Sequence, residues 1–88
     1  MKNIYIVVSE WQDDEIAAGG HDIQGAFLKK EDAIDCLNKI LEEQTKNTSL
    51  GQDPDTILEQ DEDSFSMYGD GEYFGNHFDC EIITIELK

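Results

Sequence analysis

The sequence predicts an α+β fold, a two-layer sandwich in which an antiparallel sheet of three to five strands packs on one main helix. β-branched and aromatic runs with period-two alternation lie near both ends of the chain. One apolar stripe with a helical period lies between them, and turn residues separate the runs. Because the chain has 88 residues, the strand, strand, helix, strand, strand order predicts a single domain, residues 1–88.

The first strand is predicted at residues 3–9, which are rich in β-branched and aromatic side chains. Within it, Ile4, Ile6 and Val8 share one face. Residues 10–20 are predicted to form an acidic loop that ends in a turn at a pair of glycines.

The second strand is predicted at residues 22–28, antiparallel to the first. Alternation places Ile23, Gly25 and Phe27 on one side of it.

The main helix is predicted at residues 31–45. Its apolar residues recur at the spacing of one face of an α-helix. Glu31 and Asp32 lie in the predicted first turn and Lys46 lies near the end, as the helix dipole favours. The apolar stripe comprises Ala33, Ile34, Leu37, Ile40 and Leu41.

Residues 47–79 are predicted to be an acidic segment inserted before the last strand, residues 81–87. Asp53-Pro54 has the pattern of a helix start, which predicts a short helical turn over 54–60 after a polar connection. Gly69-Asp70-Gly71 predicts a hairpin that joins strands at 64–68 and 72–78.

Charge is the strongest signal for function. The chain has 21 acidic residues, six lysines and no arginine, with a formal net charge of -15. Residues 1–46 hold ten acids and five lysines, whereas residues 47–88 hold eleven acids and one lysine. Such a chain repels itself. The composition favours a negative surface that meets a positive partner, with solvation alone and adaptation to high salt as alternatives.

The expected location is the cytoplasm of a host bacterial cell. The apolar run after Met1-Lys2 is too short, and its flanks too polar, for a signal peptide. No apolar run approaches the roughly 18 residues that span a membrane, and anionic lipid would repel this surface.

Two histidines and two cysteines raise the possibility of a zinc site. One histidine and one cysteine have a suitable H-x-x-C spacing, but the other cysteine has no nearby second ligand. Two reduced cysteines without a metal are the expected alternative. The acidic segments lack the spacing of a calcium-binding loop. We therefore expect no metal and no cofactor. The residues concerned are His21, Cys36, His77 and Cys80.

No catalytic pattern occurs in the chain, neither a nucleophile with its base, nor a glycine-rich phosphate loop, nor H-E-x-x-H. Paired carboxylates could do acid–base chemistry, but this needs a pocket that tunes them oppositely. We expect a non-enzymatic protein.

Direct nucleic-acid binding is disfavoured, because lysine and arginine supply the affinity for phosphate. Carboxylates can instead imitate a phosphate backbone and occupy the cleft of a protein that binds DNA or RNA. Aromatic side chains lie among the acids and could anchor such an interface while the charges steer it. Of these aromatics, Phe65, Phe74 and Phe78 are predicted to be core. The predicted partner-binding residues are Trp11, Asp13, Asp14, Glu15, Asp61, Glu62, Asp63, Tyr68, Asp70, Glu72 and Tyr73.

Three segments carry a resemblance to known proteins: Ile4-Tyr5-Ile6-Val7-Val8-Ser9-Glu10, Ile23-x-Gly25-x-Phe27 and Lys30-Glu31-Asp32-Ala33. Together they resemble short bacteriophage and prophage proteins with a strand, strand, helix layout and a closing strand. In size and acidity the chain is similar to phage anti-defence proteins, including anti-CRISPR inhibitors that mimic DNA.

The leading hypothesis is therefore an inhibitor that binds a basic, nucleic-acid-handling bacterial protein, such as the CRISPR effector Cas9, and blocks its DNA-binding surface. One alternative is an immunity or antitoxin-like protein that neutralises a basic toxin or nuclease. Another is a phage structural or housekeeping domain whose charge only keeps it in solution.

Overall fold

A computed structural model describes residues 2–13, 16–71 and 73–87. The elements in chain order are β1 (Lys2–Asp13), β2 (Ala18–Phe27), α1 (Lys30–Asn47), α2 (Ser49–Gln52), β3 (Ile57–Gln60), β4 (Ser64–Tyr68) and β5 (His77–Leu87). The strands form one antiparallel sheet in the order β2-β1-β5-β4-β3. The two longest strands, β1 and β5, therefore lie at the centre of the sheet.

One face of the sheet packs on α1, which confirms the α+β fold with an antiparallel sheet and one main helix. The predicted helical stripe faces the sheet: Ala33 and Leu37 are buried, and the other stripe residues are half-buried. α1 extends the predicted helix by one residue at its start and two at its end. Neither helix among the described residues is long and apolar enough to cross a membrane.

The core lies between α1 and strands β1, β4 and β5. Phe65 and Phe78 are buried, with ring centroids 5.9 Å apart. Phe74 is 76% exposed, so its prediction as a core residue was wrong. It lies in the connection before β5, where it forms an isolated bridge with Gly69. The buried apolar residues are Val7, Ala33, Leu37, Phe65, Met67, Phe78 and Cys80.

The opposite face of the sheet, called here the open face, is not covered by either described helix. Side chains alternate between faces along a strand, and directly paired residues share a face. Val7 and Ser9 of β1 are buried on the helix side, so Ile4, Ile6 and Val8 lie on the open face. The extents of 47 × 22 × 17 Å reflect the length of the β1–β5 ribbon.

The connection between β1 and β2 is shorter than the predicted loop. β1 continues to Asp13 and pairs there with Ala18, so most of the predicted loop at residues 10–20 is strand. The glycines predicted as a turn lie inside β2. A Cβ on Gly20 would lie 2.9 Å from Nε1 of Trp11, so glycine makes room for the indole. The left-handed turn residue is Ala17, with φ 51°.

A bulge in β2 corrects a second prediction. Val7 pairs with Gly25, whereas Val8 pairs with Ile23, so Gln24 is the extra residue. The bulge moves Ile23 to the open face, away from the side that Gly25 and Phe27 share. The Gln24 amide donates a 2.8 Å hydrogen bond to the Ser9 hydroxyl.

The segment after α1 also departs from the prediction. Residues 49–52 form α2, and Thr48 caps it by accepting a hydrogen bond from the Gly51 N–H at 3.0 Å. Asp53 ends α2 and starts no helix. Its Oδ1 accepts from the N–H of Asp55 in an Asx turn, and β3 follows where a helical turn over 54–60 was predicted.

β4 and β5 pair antiparallel, as predicted for this hairpin, and the strand at 64–68 is confirmed, but the tight turn predicted at Gly69-Asp70-Gly71 is wrong. β4 and β5 are joined by residues 69–76, with Gly69 and Phe74 in an isolated bridge. No strand covers 72–76 among the described residues, and β5 begins at His77, four residues before the predicted last strand. A Cβ on Gly69 would lie 2.1 Å from the carbonyl oxygen of Tyr73, so this glycine serves close packing in the connection.

Candidate protein-binding surface

A row of side chains crosses all five strands on the open face. Its cross-strand pairs are His21 with Glu10, Glu10 with Asp79, Asp79 with Ser66, and Ser66 with Glu59. We call Glu10, Asp79 and Glu59 the acidic row. Adjacent strands lie about 4.8 Å apart, so Glu10 and Asp79 lie side by side, and Glu59 lies two strands from Asp79 with Ser66 between them.

The acidic row places two like charges directly opposite each other. Glu10 and Asp79 are a cross-strand pair on the two central strands, and like charges in this arrangement destabilise a sheet. His77 Nδ1 lies 3.2 Å from Asp79 Oδ2. The like-charge pair is not explained by the needs of the fold, and a cationic partner would relieve it.

Tyr68 contacts the acidic row at its β3 end. Its hydroxyl donates a 2.9 Å hydrogen bond to Oε1 of Glu59. That bond, together with desolvation and the negative charges of Glu59 and Asp70, raises the pKa of Tyr68. The phenol therefore stays protonated and acts as a donor that fixes the Glu59 carboxylate.

A concavity of about 570 Å³ spans strands β2, β1, β5 and β4. Glu10, Asp79 and Glu81 line it beside the apolar side chains of Val8 and Ile23. A surface that combines carboxylates with apolar contact area suits a protein partner, because aromatic or aliphatic groups anchor an interface while charges orient it.

The remainder of the open face is apolar. Beyond Val8 and Ile23, the rows towards the chain termini consist mainly of isoleucine. Ile23 is 75% exposed, and Ile83 and Ile85 are 42% and 44% exposed. We call this region the apolar end; its residues are Ile4, Ile6, Ile83, Ile85 and Leu87.

The described lysines lie away from the acidic row. Among the described residues, four of the five lysines precede α1 or lie within it, on the other side of the sheet. The fifth, Lys2, pairs with Leu87 at the far apolar end. The open face therefore changes from apolar at the chain termini to strongly acidic at its middle, with no described lysine in the acidic part.

The predicted acids 61–63 lie in the turn between β3 and β4, and all three are exposed. The turn adjoins the concavity, because Ser64 pairs with Glu81 and the N–H of Ile82 donates to the carbonyl of Asp63. These acids extend the negative surface outward from the acidic row. Their role in partner binding remains a prediction.

Of the predicted aromatic anchors, Tyr68 contacts the acidic row, whereas Trp11 and Tyr73 lie elsewhere. Trp11 is half-buried and packs against the core on the helix side of β1. With Asp13 and Tyr73 it lines a second groove, of about 560 Å³, against the end of α1 and α2. Asp70 is exposed after the end of β4, the end opposite the 61–63 turn. The structure therefore does not bring all of the predicted acids and aromatics into one patch. Asp14, Glu15 and Glu72, also predicted, lie outside the described residues.

The residues of the acidic row were missing from the prediction. A signal for them exists in the sequence, because His77, Asp79 and Glu81 alternate with Phe78, Cys80 and Ile82. That alternation identifies a strand with one apolar and one polar face. The pairing of Glu10 with Asp79 depends on strand order and register, which local patterns do not give.

The cysteines and histidines do not form a metal site among the described residues, where no three metal-binding side chains cluster. His77 and Cys80 are three apart in one strand, so they point to opposite faces. Both cysteines are free thiols. Burial, then the nearby Cys36 and Glu81, raise the pKa of the Cys80 thiol to about 12.

Alkylation should therefore distinguish the two thiols. In the native protein at neutral pH, iodoacetamide should modify Cys36 and leave Cys80 unmodified, because Cys80 is 1% exposed and protonated. In urea both should react, as peptide mass spectrometry would show. Because the folded pKa is the higher one, this thiol's contribution to stability is complete below about pH 9 and should be lost as the pH rises towards 12. Fast native modification of Cys80 would contradict its placement in the core.

No protein-family model matches the chain, and no curated protein or solved structure matches it either.

Proposed function

We propose that this protein is a non-enzymatic inhibitor that binds a basic, nucleic-acid-handling bacterial protein and blocks that protein's DNA-binding surface by phosphate mimicry. The kind of partner that we propose is a CRISPR effector such as Cas9. The acidic row carries the proposal, because it sets like charges opposite each other on the central strands of the sheet. Such an arrangement costs stability in the free protein and gains from a cationic partner.

The binding surface we propose comprises the acidic row, Glu81 and the acids of the 61–63 turn. Charge on this surface would attract the partner's lysines and arginines at long range and speed association. The neighbouring residues Val8 and Ile23 would supply the apolar contact that slows dissociation.

The partner's basic surface would otherwise hold nucleic acid. DNA binding depends on phosphate contacts with lysine and arginine, so carboxylates at the same side chains would compete with the phosphates. Occupation of the site by this protein would exclude DNA without any chemical change in either protein, as expected for a stoichiometric inhibitor.

Affinity capture tests the proposal. The purified protein is immobilised, nuclease-treated bacterial lysate is applied at low salt, and bound proteins are eluted first with double-stranded DNA and then with rising salt. We expect a basic DNA- or RNA-binding protein to elute with DNA. A matched column carries the variant in which the three residues of the acidic row are replaced by lysine, and it should retain none of that protein.

Two outcomes would contradict the proposal. Retention of the same protein on both columns would show that the acidic row is not the contact surface. The absence of any DNA-displaceable protein would favour a domain whose charge only keeps it in solution.

A further inference from the structure

The second half of β5 has a free edge. β4 pairs with β5 from His77 to Glu81, and the N–H of Ile82 donates to the Asp63 carbonyl. Beyond Ile82, no strand in the described ranges lies on that side of β5, while β1 covers the other side. The N–H and C=O groups of one residue point to the same side of a strand, and the side alternates along it. The backbone groups of Thr84 and Glu86 therefore point outward at the free edge.

The side chains at this edge do not protect it from pairing. Natural proteins block edge strands with charges, proline or bulges. On the open face the edge carries Ile83, Ile85 and Leu87, each between 41% and 44% exposed. Glu86 is the one charged residue from 83 to 87, and it lies on the other face. An exposed apolar edge with unpaired backbone groups is a template for another strand.

We propose that the occupant is the same edge of a second copy of this chain, paired antiparallel about a two-fold axis at Ile85. In this register Ile85 lies opposite Ile85 of the second copy, and Ile83 lies opposite Leu87. Thr84 lies opposite Glu86, and these two residues exchange both backbone hydrogen bonds. The contact is isologous, as a two-fold dimer requires.

Neighbouring registers are less favourable. Centring the pair on Glu86 would oppose two identical carboxylates, which is destabilising. Centring it on Thr84 would place Glu86 opposite Ile82, whose N–H is already bonded to Asp63. The register centred on Ile85 avoids the pair of carboxylates and places Glu86 opposite Thr84, whose backbone groups point outward at the free edge. It also places only apolar side chains in contact on the open face.

Self-pairing fits the edge better than pairing with a basic partner, because the edge has little charge to select one. The two five-stranded sheets would join into one continuous sheet, with both acidic rows exposed on the same face. This inference is independent of the proposed function. Added salt should favour this dimer, because it screens the repulsion between two chains of net charge -15. Added salt should weaken the proposed binding to a basic partner.

Disulfide trapping tests the register. In a Cys36→Ser background, Ile85→Cys places two thiols in a non-hydrogen-bonded pair, with Cα atoms about 4.5 Å apart, within disulfide range. Mild oxidation should convert most of this variant into a covalent dimer. Ile83→Cys is the matched control on the same edge, with similar exposure. Its two thiols would be four residues out of register, about 14 Å apart, and should remain monomeric on a non-reducing gel.

Sedimentation velocity tests the dimer itself. The unmodified protein should shift towards dimer as its concentration rises, and more strongly in high salt than in low salt. Ile85→Lys should be monomeric, because it opposes two like charges, whereas Ile23→Lys on β2 should behave as the unmodified protein does. A protein that stays monomeric at every concentration and salt, or equal trapping of the 83 and 85 variants, would overturn the proposal.

Discussion

Replacing Phe65 by alanine should lower the free energy of unfolding by about 3–5 kcal/mol, the usual cost of removing a buried aromatic ring. Phe65 is 2% exposed and stacks on Phe78 between the sheet and α1. Domains of this kind are stable by only about 5–15 kcal/mol in total. The variant should therefore be partly unfolded at modest urea concentrations, as circular dichroism would show.

Phe74→Ala is the matched control, because it removes the same side chain from a site that is 76% exposed. Its effect should stay within about 0.5 kcal/mol, as for most surface substitutions. Equal destabilisation by the two substitutions would show that the core is not where the fold places it.

Reversing the three charges of the acidic row to lysine should weaken partner binding by about two orders of magnitude. Each exposed ion pair is worth up to about 1 kcal/mol, and three lost pairs amount to about a hundredfold in the dissociation constant. The loss should appear in the association rate and should shrink at high salt, because surface charges mainly steer encounter. Surface plasmon resonance against the captured partner at two salt concentrations measures both effects.

The control for this prediction reverses three acids on α1, Asp32, Asp35 and Glu43, which are exposed on the helix side of the sheet. It changes the net charge by the same amount at a different place. We expect a much smaller loss of affinity. Equal losses from the two triple variants would mean that total charge, and not the acidic row, determines binding.

The sequence was sufficient to predict that the main helix and the first and last strands exist, because their patterns repeat over several residues. The stripe through Ala33 and Leu37 and the alternation at Ile83 and Ile85 each point to one structure. The class of the fold follows from the order of these elements.

Short-range features were harder to predict. Gly19 and Gly20 are typical of a turn, yet they lie in a strand, where they pair with Gln12 and Trp11. A Cβ would lie 3.0 Å from the Trp11 carbonyl oxygen at Gly19 and 2.9 Å from the Trp11 indole nitrogen at Gly20. Asp53-Pro54 is typical of a helix start, yet the Asp53 carboxylate caps a turn. In both cases a contact outside the local pattern decides the conformation.

The site was the least predictable part. The acids of the 61–63 turn are conspicuous as a run, whereas Glu10, Glu59 and Asp79 are isolated in the sequence. They fall in one row because β5 lies between β1 and β4, and β4 lies between β5 and β3. Pairing between strands distant in sequence carries this information, and composition does not.

The central claim is competition for a basic surface, and a titration of the partner's nucleic-acid complex tests it most directly. Fluorescently labelled double-stranded DNA is bound to the captured partner, this protein is added in increasing amounts, and anisotropy reports the DNA that remains bound. We predict complete displacement near equimolar protein, reversal by excess unlabelled DNA, and no displacement by the variant with a reversed acidic row. A stable ternary complex of partner, DNA and this protein would contradict the account.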